Sequence, residues 1–275
     1  MPKNISIEKT FASAVQNHQK NNFKVAENLY NQILKIDPNH IKTIFFLGTL
    51  SVQTKNFGRA KQMLQKTIQV QPNNVDAHNN LGVVFKEFEK FQKAKDCFER
   101  VIQIQPNHVD AVNNLGNVFK QLDEPQKAIN YYQKAIEIEP NYVGAHYNLM
   151  EVCEKTNRIT ELKDAVSNAR TFFKDNSIIK LYEGILLSRN EKFVEAKNCL
   201  KLISFETNET NKEILRVSTL AKCYDRIGDT DKAFGYFKKV NLLTQSTKMK
   251  NFDKNKYLQE IKIRSEFFKK SNIKK

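Results

Sequence analysis

Three asparagines recur along the chain at 34-residue intervals: Asn80, Asn114 and Asn148. An amide side chain both donates and accepts hydrogen bonds, so a row of amides can bind a peptide main chain with little regard for its side chains. The row is not continuous, because the same slot in other segments holds Phe46, Tyr182 and Thr219. The first chemical hypothesis is therefore main-chain recognition.

No catalytic signature accompanies these amides. The chain lacks a GxxxxGK[ST] loop, a GxGxxG turn, an HExxH helix and a GxSxG elbow. His40 and His108 share a turn slot and are expected to be turn residues. His78 and His146 stand two repeats apart, so packed histidines are expected there and not metal ligands. We therefore predict that the chain is not an enzyme and that it needs neither a cofactor nor a metal.

The composition limits which cellular compartment and which types of partner are expected. Cys97, Cys153, Cys199 and Cys223 form no CxxC pair, which favours free thiols in a reducing compartment. The first eight residues have no apolar core of signal-peptide length, and no apolar run approaches the roughly 18 residues of a membrane span. A cytoplasmic chain is expected. The net charge of +15 leaves an acidic protein, a nucleic acid or an anionic membrane as possible partners.

The elements that must position the amides follow from one period. Three residue types each recur every 34 residues, which indicates a repeated supersecondary unit. The few glycines (8) and prolines (6) argue against an all-β fold. The recurring residues are Pro38, Pro72, Pro106 and Pro140; Gly48, Gly82 and Gly116; and Ala26, Ala60, Ala94 and Ala128.

Each recurring residue has a physical reason within a helical hairpin. Gly82 lets two helix axes approach closely, at a helix-propensity cost of about 1 kcal/mol. Ala94 is the opposing small residue on the second helix. Phe98 and Val101 share its face and are expected to fill the space between this hairpin and the next. Pro106 prevents the second helix from continuing.

This pattern resembles the tetratricopeptide-repeat (TPR) family, although His78, Val112 and His146 replace its early tryptophan. The resemblance implies an all-α, right-handed superhelical solenoid of about seven hairpins plus a C-terminal capping helix. In the fifth repeat Met150 and Leu162 replace the glycine and the alanine, and the seventh repeat is displaced by three residues. The predicted repeats are 7–40, 41–74, 75–108, 109–142, 143–176, 177–210 and 214–247 within an array of residues 1–250.

In TPR proteins the first helices line the concave face of the array. The asparagine slot resembles the asparagine ladder of O-GlcNAc transferase and other peptide-binding TPR arrays, which implies that Asn80, Asn114 and Asn148 grip a peptide. Further groove candidates by helical spacing are Asn79, Asn113, Asn117, Tyr147, Lys86, Lys120 and Glu151. The family's carboxylate clamp is not predicted, because Asn113, Ile178 and Tyr182 stand where cations are required.

A second resemblance covers residues 220–241. Leu220–Asp229, Lys232–Phe234, Tyr236–Phe237 and Asn241 resemble the last repeat of bacterial TPR–sulfotransferase proteins. The chain lacks the PRSGTT-like loop that holds the sulfate donor's 5′-phosphate. This resemblance implies the TPR portion alone of a truncated, split or standalone protein.

The C-terminal residues are expected to close the array. Residues 244–253 are predicted to be irregular and residues 254–268 to form a capping helix, with Tyr257, Ile261 and Phe268 on one face. Residues 242–275 carry ten Lys/Arg and three Asp/Glu, a net charge of +7. A solvated basic tail in residues 251–275 explains this charge without a dedicated anion site.

Three functions compete. The leading hypothesis is a protein- or peptide-binding scaffold. The alternative is the substrate-presenting module of a sulfotransferase or other glycan-modifying enzyme. Nucleic-acid binding is disfavoured because related helical repeats that read RNA have a 35-residue period. The sequence does not predict the partner's identity or the oligomeric state.

Overall fold

The computed structural model describes residues 7–249, in which all regular structure is helical. This confirms the all-α solenoid. The chain divides into two compact units, residues 1–165 and 166–275, with the boundary inside α10. The helices are α1 Ile7–Gln19, α2 Phe23–Ile36, α3 Ile41–Gln53, α4 Phe57–Val70, α5 Val75–Glu87, α6 Phe91–Ile104, α7 Val109–Gln121, α8 Pro125–Ile138, α9 Val143–Lys155, α10 Ile159–Phe172, α11 Ser177–Arg189, α12 Phe193–Lys201, α13 Thr210–Ile227 and α14 Thr230–Met249.

In three hairpins a large side chain of the second helix lies on a glycine of the first helix. A Cβ atom built on Gly82 would lie 2.6 Å from Cε1 of Phe98, closer than side chains pack. The equivalent atom on Gly116 would lie 2.6 Å from Cε1 of Tyr132, and that on Gly184 2.5 Å from Cδ2 of Leu200. We expected Phe98 to fill the space between hairpins. Its ring also lies on the glycine of its own hairpin, where the missing Cβ leaves room for it.

The turns between repeats begin the next first helix with a side-chain cap. Nδ1 of His40 accepts from the Thr43 amide, and Nδ1 of His108 accepts from the Ala111 amide. Asn74 performs the same role through its side-chain oxygen. An acceptor at this position satisfies one of the four unpaired N–H groups of a helix start. The two histidines are therefore turn residues, as predicted.

The turns inside the hairpins share a left-handed backbone residue. Six non-glycine residues have φ between 55° and 61° and stand 34 residues apart, and the seventh position, 37 residues later, is Gly228 with φ 86°. That interval agrees with the three-residue displacement of the seventh repeat. The six residues are Asn21, Lys55, Glu89, Asp123, Asn157 and Glu191.

The C-terminal helices are longer than predicted. The polar residues 206–211, which precede the displaced seventh repeat, include a 3₁₀ turn, Thr207–Glu209, and α13 begins at Thr210. Residues 244–253 were expected to be irregular, but α14 continues to Met249, because no proline or glycine interrupts residues 236–249. The predicted capping helix at 254–268 and the basic tail lie outside the described residues.

One buried ion cluster joins α13 to its neighbours. Arg216 donates two hydrogen bonds of 2.7 Å to the Glu213 carboxylate and one of 3.0 Å to the Leu200 carbonyl. Nζ of Lys239 on α14 lies 2.9 Å from the same carboxylate. Burial alone would raise the pKa of Glu213, but the hydrogen bonds and charges of Arg216 and Lys239 outweigh it and lower the pKa.

The contact between Gly82 and Phe98 predicts that a Gly→Ala substitution changes the free energy of unfolding more at Gly82 than at Gly58. Gly82→Ala should lower the free energy of unfolding by about 1–3 kcal/mol, because the buried Phe98 ring must move. Gly58→Ala, with nothing within 4 Å of the added Cβ, should leave stability unchanged or raise it by up to about 1 kcal/mol. Urea unfolding measures both, and equal effects would show that the glycine contact is unimportant.

The ion cluster predicts acid sensitivity in α13 and α14. A lowered carboxyl pKa contributes stability above the unfolded-state pKa, and this stability is lost as pH falls below about 4. Glu213→Gln should remove that dependence and cost roughly 3 kcal/mol at neutral pH, because Arg216 loses its buried partner. Glu209→Gln, in an exposed pair with Lys212, should change little. Hydrogen exchange of α13 amides between about pH 3 and 7 measures this, and parallel pH profiles for the two variants would contradict it.

Candidate peptide-binding groove

The first helices of successive hairpins lie beside one another in the first unit. Helix α5 packs on both α3 and α7, and α7 packs on α9. Asn80, Asn114 and Asn148, which we call the amide row, therefore occupy one slot on three adjacent helices. All three side chains are half-buried. The helices thus supply the one-amide-per-repeat arrangement that recognition of an extended ligand requires.

Two members of the amide row use their NH₂ group to reach the preceding first helix. Nδ2 of Asn148 donates to Oδ1 of Asn113 at 2.9 Å, and Nδ2 of Asn80 donates to Oγ1 of Thr49 at 3.2 Å. Asn113 is buried, with 6% of its surface exposed, so this predicted groove residue serves as an internal acceptor. The side-chain oxygens of Asn80 and Asn148 make no hydrogen bond within residues 7–249, which leaves them as acceptors.

The middle position of the row is open. One repeat before the Asn113–Asn148 bond, the equivalent residues are Asn79 and Asn114. Oδ1 of Asn79 is buried and accepts no hydrogen bond in the described structure, and the Asn114 amide makes none with residues 7–249. A buried acceptor without a partner costs about 1–3 kcal/mol. This pair therefore gains if Asn114 donates to Asn79, as Asn148 does to Asn113.

An ion cluster borders the row on α7 and α9. Glu151 binds Nζ of Lys120 at 2.8 Å and Nζ of Lys155 at 2.6 Å. Burial alone would raise the pKa of Glu151, but the hydrogen bonds and charges of the two lysines hold it below its usual value. One repeat earlier, Lys86 takes the place of Lys120 and makes no ion pair in the described part of the chain. Its charge is therefore available to a ligand.

The polar residue that faces Lys86 from the next first helix is an amide. Asn117 occupies the slot that Glu151 holds one repeat later, and its Oδ1 accepts from the Tyr132 hydroxyl at 2.9 Å. Burial, followed by the charge of Glu151, raises the pKa of Tyr132, so the phenol stays neutral and donates. Tyr147 is half-buried on α9 beside Asn148. The ten predicted groove residues thus lie on α5, α7 and α9.

Three residues of this site were missed from the sequence. Thr49 accepts from Asn80, Lys155 completes the Glu151 cluster, and Tyr132 holds Asn117. Thr49 stands in the same repeat slot as Asn117 and Glu151, so alignment of the repeats could have found it. Lys155 follows Glu151 by four residues, a spacing that favours helical ion pairs. Tyr132 stands in the same repeat slot as Phe98, which was assigned to packing, and its hydroxyl gave no signal of a polar role.

Comparison with known proteins agrees with this architecture. Tetratricopeptide-repeat family models match residues 18–82, 75–108 and 109–142. Residues 18–142 are therefore similar to the tetratricopeptide-repeat family. No curated protein matches the chain.

Three solved structures show the same fold. MamA is 25% identical over 58% of this chain and 96% of its own, with a TM-score of 0.53. A tetratricopeptide repeat protein from Parabacteroides merdae is 14% identical over 93% and 97%, with a TM-score of 0.63. YrrB, described as a TPR protein with an unusual peptide-binding site, is 17% identical over 76% and 97%, with a TM-score of 0.52. At these identities the likeness to YrrB and to the P. merdae protein concerns the fold alone. No helix in residues 7–249 is long and apolar enough to span a bilayer.

The side-chain hydrogen bonds of the amide row predict that Asn148 stabilises the protein and that Asn114 does not. Asn148→Ala removes the donor to the buried Oδ1 of Asn113 and should lower the free energy of unfolding by about 1–3 kcal/mol. Asn114→Ala removes an amide with no described partner and should leave stability within about 0.5 kcal/mol. Urea denaturation of both variants measures the difference. Equal, small effects of the two substitutions would show that the hydrogen bond between Asn148 and Asn113 contributes little to stability.

Proposed function

We propose that this protein is a non-catalytic scaffold whose α3, α5, α7 and α9 groove binds an extended peptide segment of a partner protein. The observation that carries the proposal is the orientation of the amide row. The NH₂ groups of Asn80 and Asn148 are held by the preceding helix, which leaves their oxygens as acceptors. Peptide N–H groups are the donors that such oxygens suit.

The middle member of the row completes the same arrangement on binding. When Asn114 donates to the buried oxygen of Asn79, its own oxygen takes the orientation of Asn80 and Asn148. Asn79 is then a positioning residue and Asn114 a contact residue. Each ligand N–H bonded in this way should contribute about 0.5–1.5 kcal/mol.

The helix spacing favours a polyproline II conformation for the ligand. Packed helices lie about 8–10 Å apart, and a polyproline II chain repeats every three residues with a rise of about 3.1 Å per residue. One turn of roughly 9 Å thus presents an N–H of the same direction to each successive helix. Lys86 lies on α5 within this groove, so an acidic ligand side chain near the third repeat would be matched by its charge.

A second candidate function is presentation of a substrate to a catalytic domain. It rests on the resemblance of residues 220–241 to TPR–sulfotransferase proteins. Helix α14, which carries the second half of that motif, exposes Phe234 and Phe237. An exposed apolar face is where an adjoining domain could pack. A neighbouring reading frame with a PRSGTT-like loop would favour this function, and its absence would leave the scaffold function.

The groove proposal predicts a main-chain contribution at Asn114. Against a 12-residue peptide selected by phage display on the full chain, Asn114→Ala should weaken affinity by about 0.5–1.5 kcal/mol, roughly two- to tenfold. Asn130→Ala, on the exposed face of α8, is the matched control and should bind normally. Fluorescence anisotropy measures both affinities.

Chemical editing of the peptide distinguishes main-chain from side-chain recognition. N-methylation of the peptide bond that faces Asn114 should cost the same factor as Asn114→Ala, and the two changes together should cost no more than either alone. Additive losses, or full affinity of the Asn114→Ala variant for every selected peptide, would contradict binding through the amide row.

A further inference from the structure

The first helices change their chemistry along the groove. On α5, α7 and α9 the slot of the amide row holds asparagine, whereas on α3 it holds Phe46, and the residue before it is Phe45. One first helix earlier, Phe11 on α1 occupies the same slot as Phe45. All three side chains are half-buried. These phenylalanines, which we call the aromatic end, therefore give the N-terminal side of the groove an apolar surface.

The rings of the aromatic end form one edge-to-face cluster. The Phe46 centroid lies 5.4 Å from that of Phe11 and 5.4 Å from that of Phe45, with interplanar angles of 83° and 77°. Phe11 and Phe46 pack against the buried core that contains Tyr30, whereas Phe45 lies outside that core cluster and against the Phe46 ring. Phe45 is therefore the ring of this cluster that a ligand can contact at the least cost to the core.

Hydrogen bonds through Thr49 join the aromatic end to the amide row. Thr49 accepts from Nδ2 of Asn80 at 3.2 Å, and its own hydroxyl donates to the Phe45 carbonyl at 3.2 Å. Residues four apart share one face of a helix, so Phe45 lies on the same face of α3 as Thr49. Helix α3 packs on both α1 and α5. A peptide that follows the amide row thus meets the aromatic end one first helix earlier.

We infer, on the basis of the proposed peptide groove, that the aromatic end binds one aromatic side chain of that peptide. Half-buried valines continue its apolar surface: Val15 on α1, Val52 on α3 and Val83 on α5. A further ring gains edge-to-face contacts that an aliphatic side chain cannot make. A cationic side chain also suits aromatic rings, but the net charge of +15 and the neighbouring Lys86 disfavour a cationic ligand.

The position of Lys86 sets where the ligand's acidic residue lies relative to its aromatic residue. Lys86 follows Asn79, the α5 equivalent of Phe45, by seven residues, or about 10 Å along the helix. Adjacent helices lie about 8–10 Å apart, so the aromatic end and this lysine are separated by roughly 13 Å. A polyproline II chain covers that distance in about four residues. The ligand class is therefore a peptide with an aromatic residue about four positions from an acidic one.

A cycle of substitutions in protein and peptide tests this inference. Among 12-residue peptides selected by phage display on the full chain, those weakened by Asn114→Ala should share an aromatic residue at one fixed position. Changing that residue to alanine should weaken binding by about tenfold or more. In the Phe45→Ala variant the same peptide change should cost less than about threefold, because the contact is already lost. Fluorescence anisotropy measures the affinities.

Phe57→Ala is the matched control for Phe45→Ala. Phe57 is also half-buried and also makes an edge-to-face contact, with Phe88 at 6.4 Å, but it begins the second helix α4. This variant should retain the full tenfold loss for the peptide change. Equal losses in the Phe45→Ala and Phe57→Ala variants would overturn the inference.

Tryptophan fluorescence gives a readout that does not depend on how well the Phe45→Ala variant folds. The chain contains no tryptophan, so a tryptophan at the peptide's aromatic position is the only one in the complex. On binding to the wild-type chain, its emission should shift to shorter wavelength and its quenching by acrylamide should fall. A tryptophan added at the peptide's end is the control and should stay accessible.

The outcomes separate the aromatic end from the amide row. Peptides that depend on Asn114 but share no aromatic residue, or whose tryptophan stays accessible at the aromatic position, would overturn the inference and leave the amide row in place. A peptide that depends on Phe45 but not on Asn114 would support the aromatic end and contradict the amide row.

Discussion

The contact between a glycine on the first helix and a large side chain on the second sets the geometry of the hairpins. Phe98, Tyr132 and Leu200 lie where a Cβ on Gly82, Gly116 or Gly184 would be. Because these side chains are fully buried and cannot yield, the distance between the two helices is fixed in the same way in each of these three hairpins. The regular placement of first helices, and with it the spacing of the amide row, follows from this contact.

The helical hairpins could be predicted from the sequence because the 34-residue period is marked by glycine, alanine and proline. Few other residues can replace these three at their positions. Glycine, alanine and proline at fixed positions fix the helices, and their displacement in the seventh repeat is matched by the backbone of Gly228. The left-handed residues Lys55, Glu89 and Glu191 could not be predicted, because their side chains have no preference for positive φ. At these turns the packing of the two helices imposes the left-handed backbone conformation, and the residue at the turn is strained.

The candidate site was predicted at the level of residues but not of atoms. The repeat places Asn80, Asn114 and Asn148 in one slot, and the structure brings their helices together. Asn80 and Asn148 both use Nδ2 internally, and only the acceptor on the neighbouring helix differs, a hydroxyl in Thr49 and an amide oxygen in Asn113. The sequence analysis also treated Asn113 as a groove residue, yet its burial makes it part of the support. Partner geometry of this sort depends on contacts between residues more than 30 positions apart, which a local pattern does not contain.

The internal bonds also limit what the row can contribute to binding. An amide oxygen that is already exposed to water exchanges one hydrogen bond for another, so three contacts supply a few kcal/mol at most. Selectivity must then come from side chains beside the row. Glu151 forms ion pairs with both Lys120 and Lys155, so both of these ammonium groups are engaged, whereas Lys86 makes no ion pair in the described residues. The unpaired one of these three lysines therefore lies on α5, and a ligand with a single acidic residue that pairs with it would be held in one direction and one register.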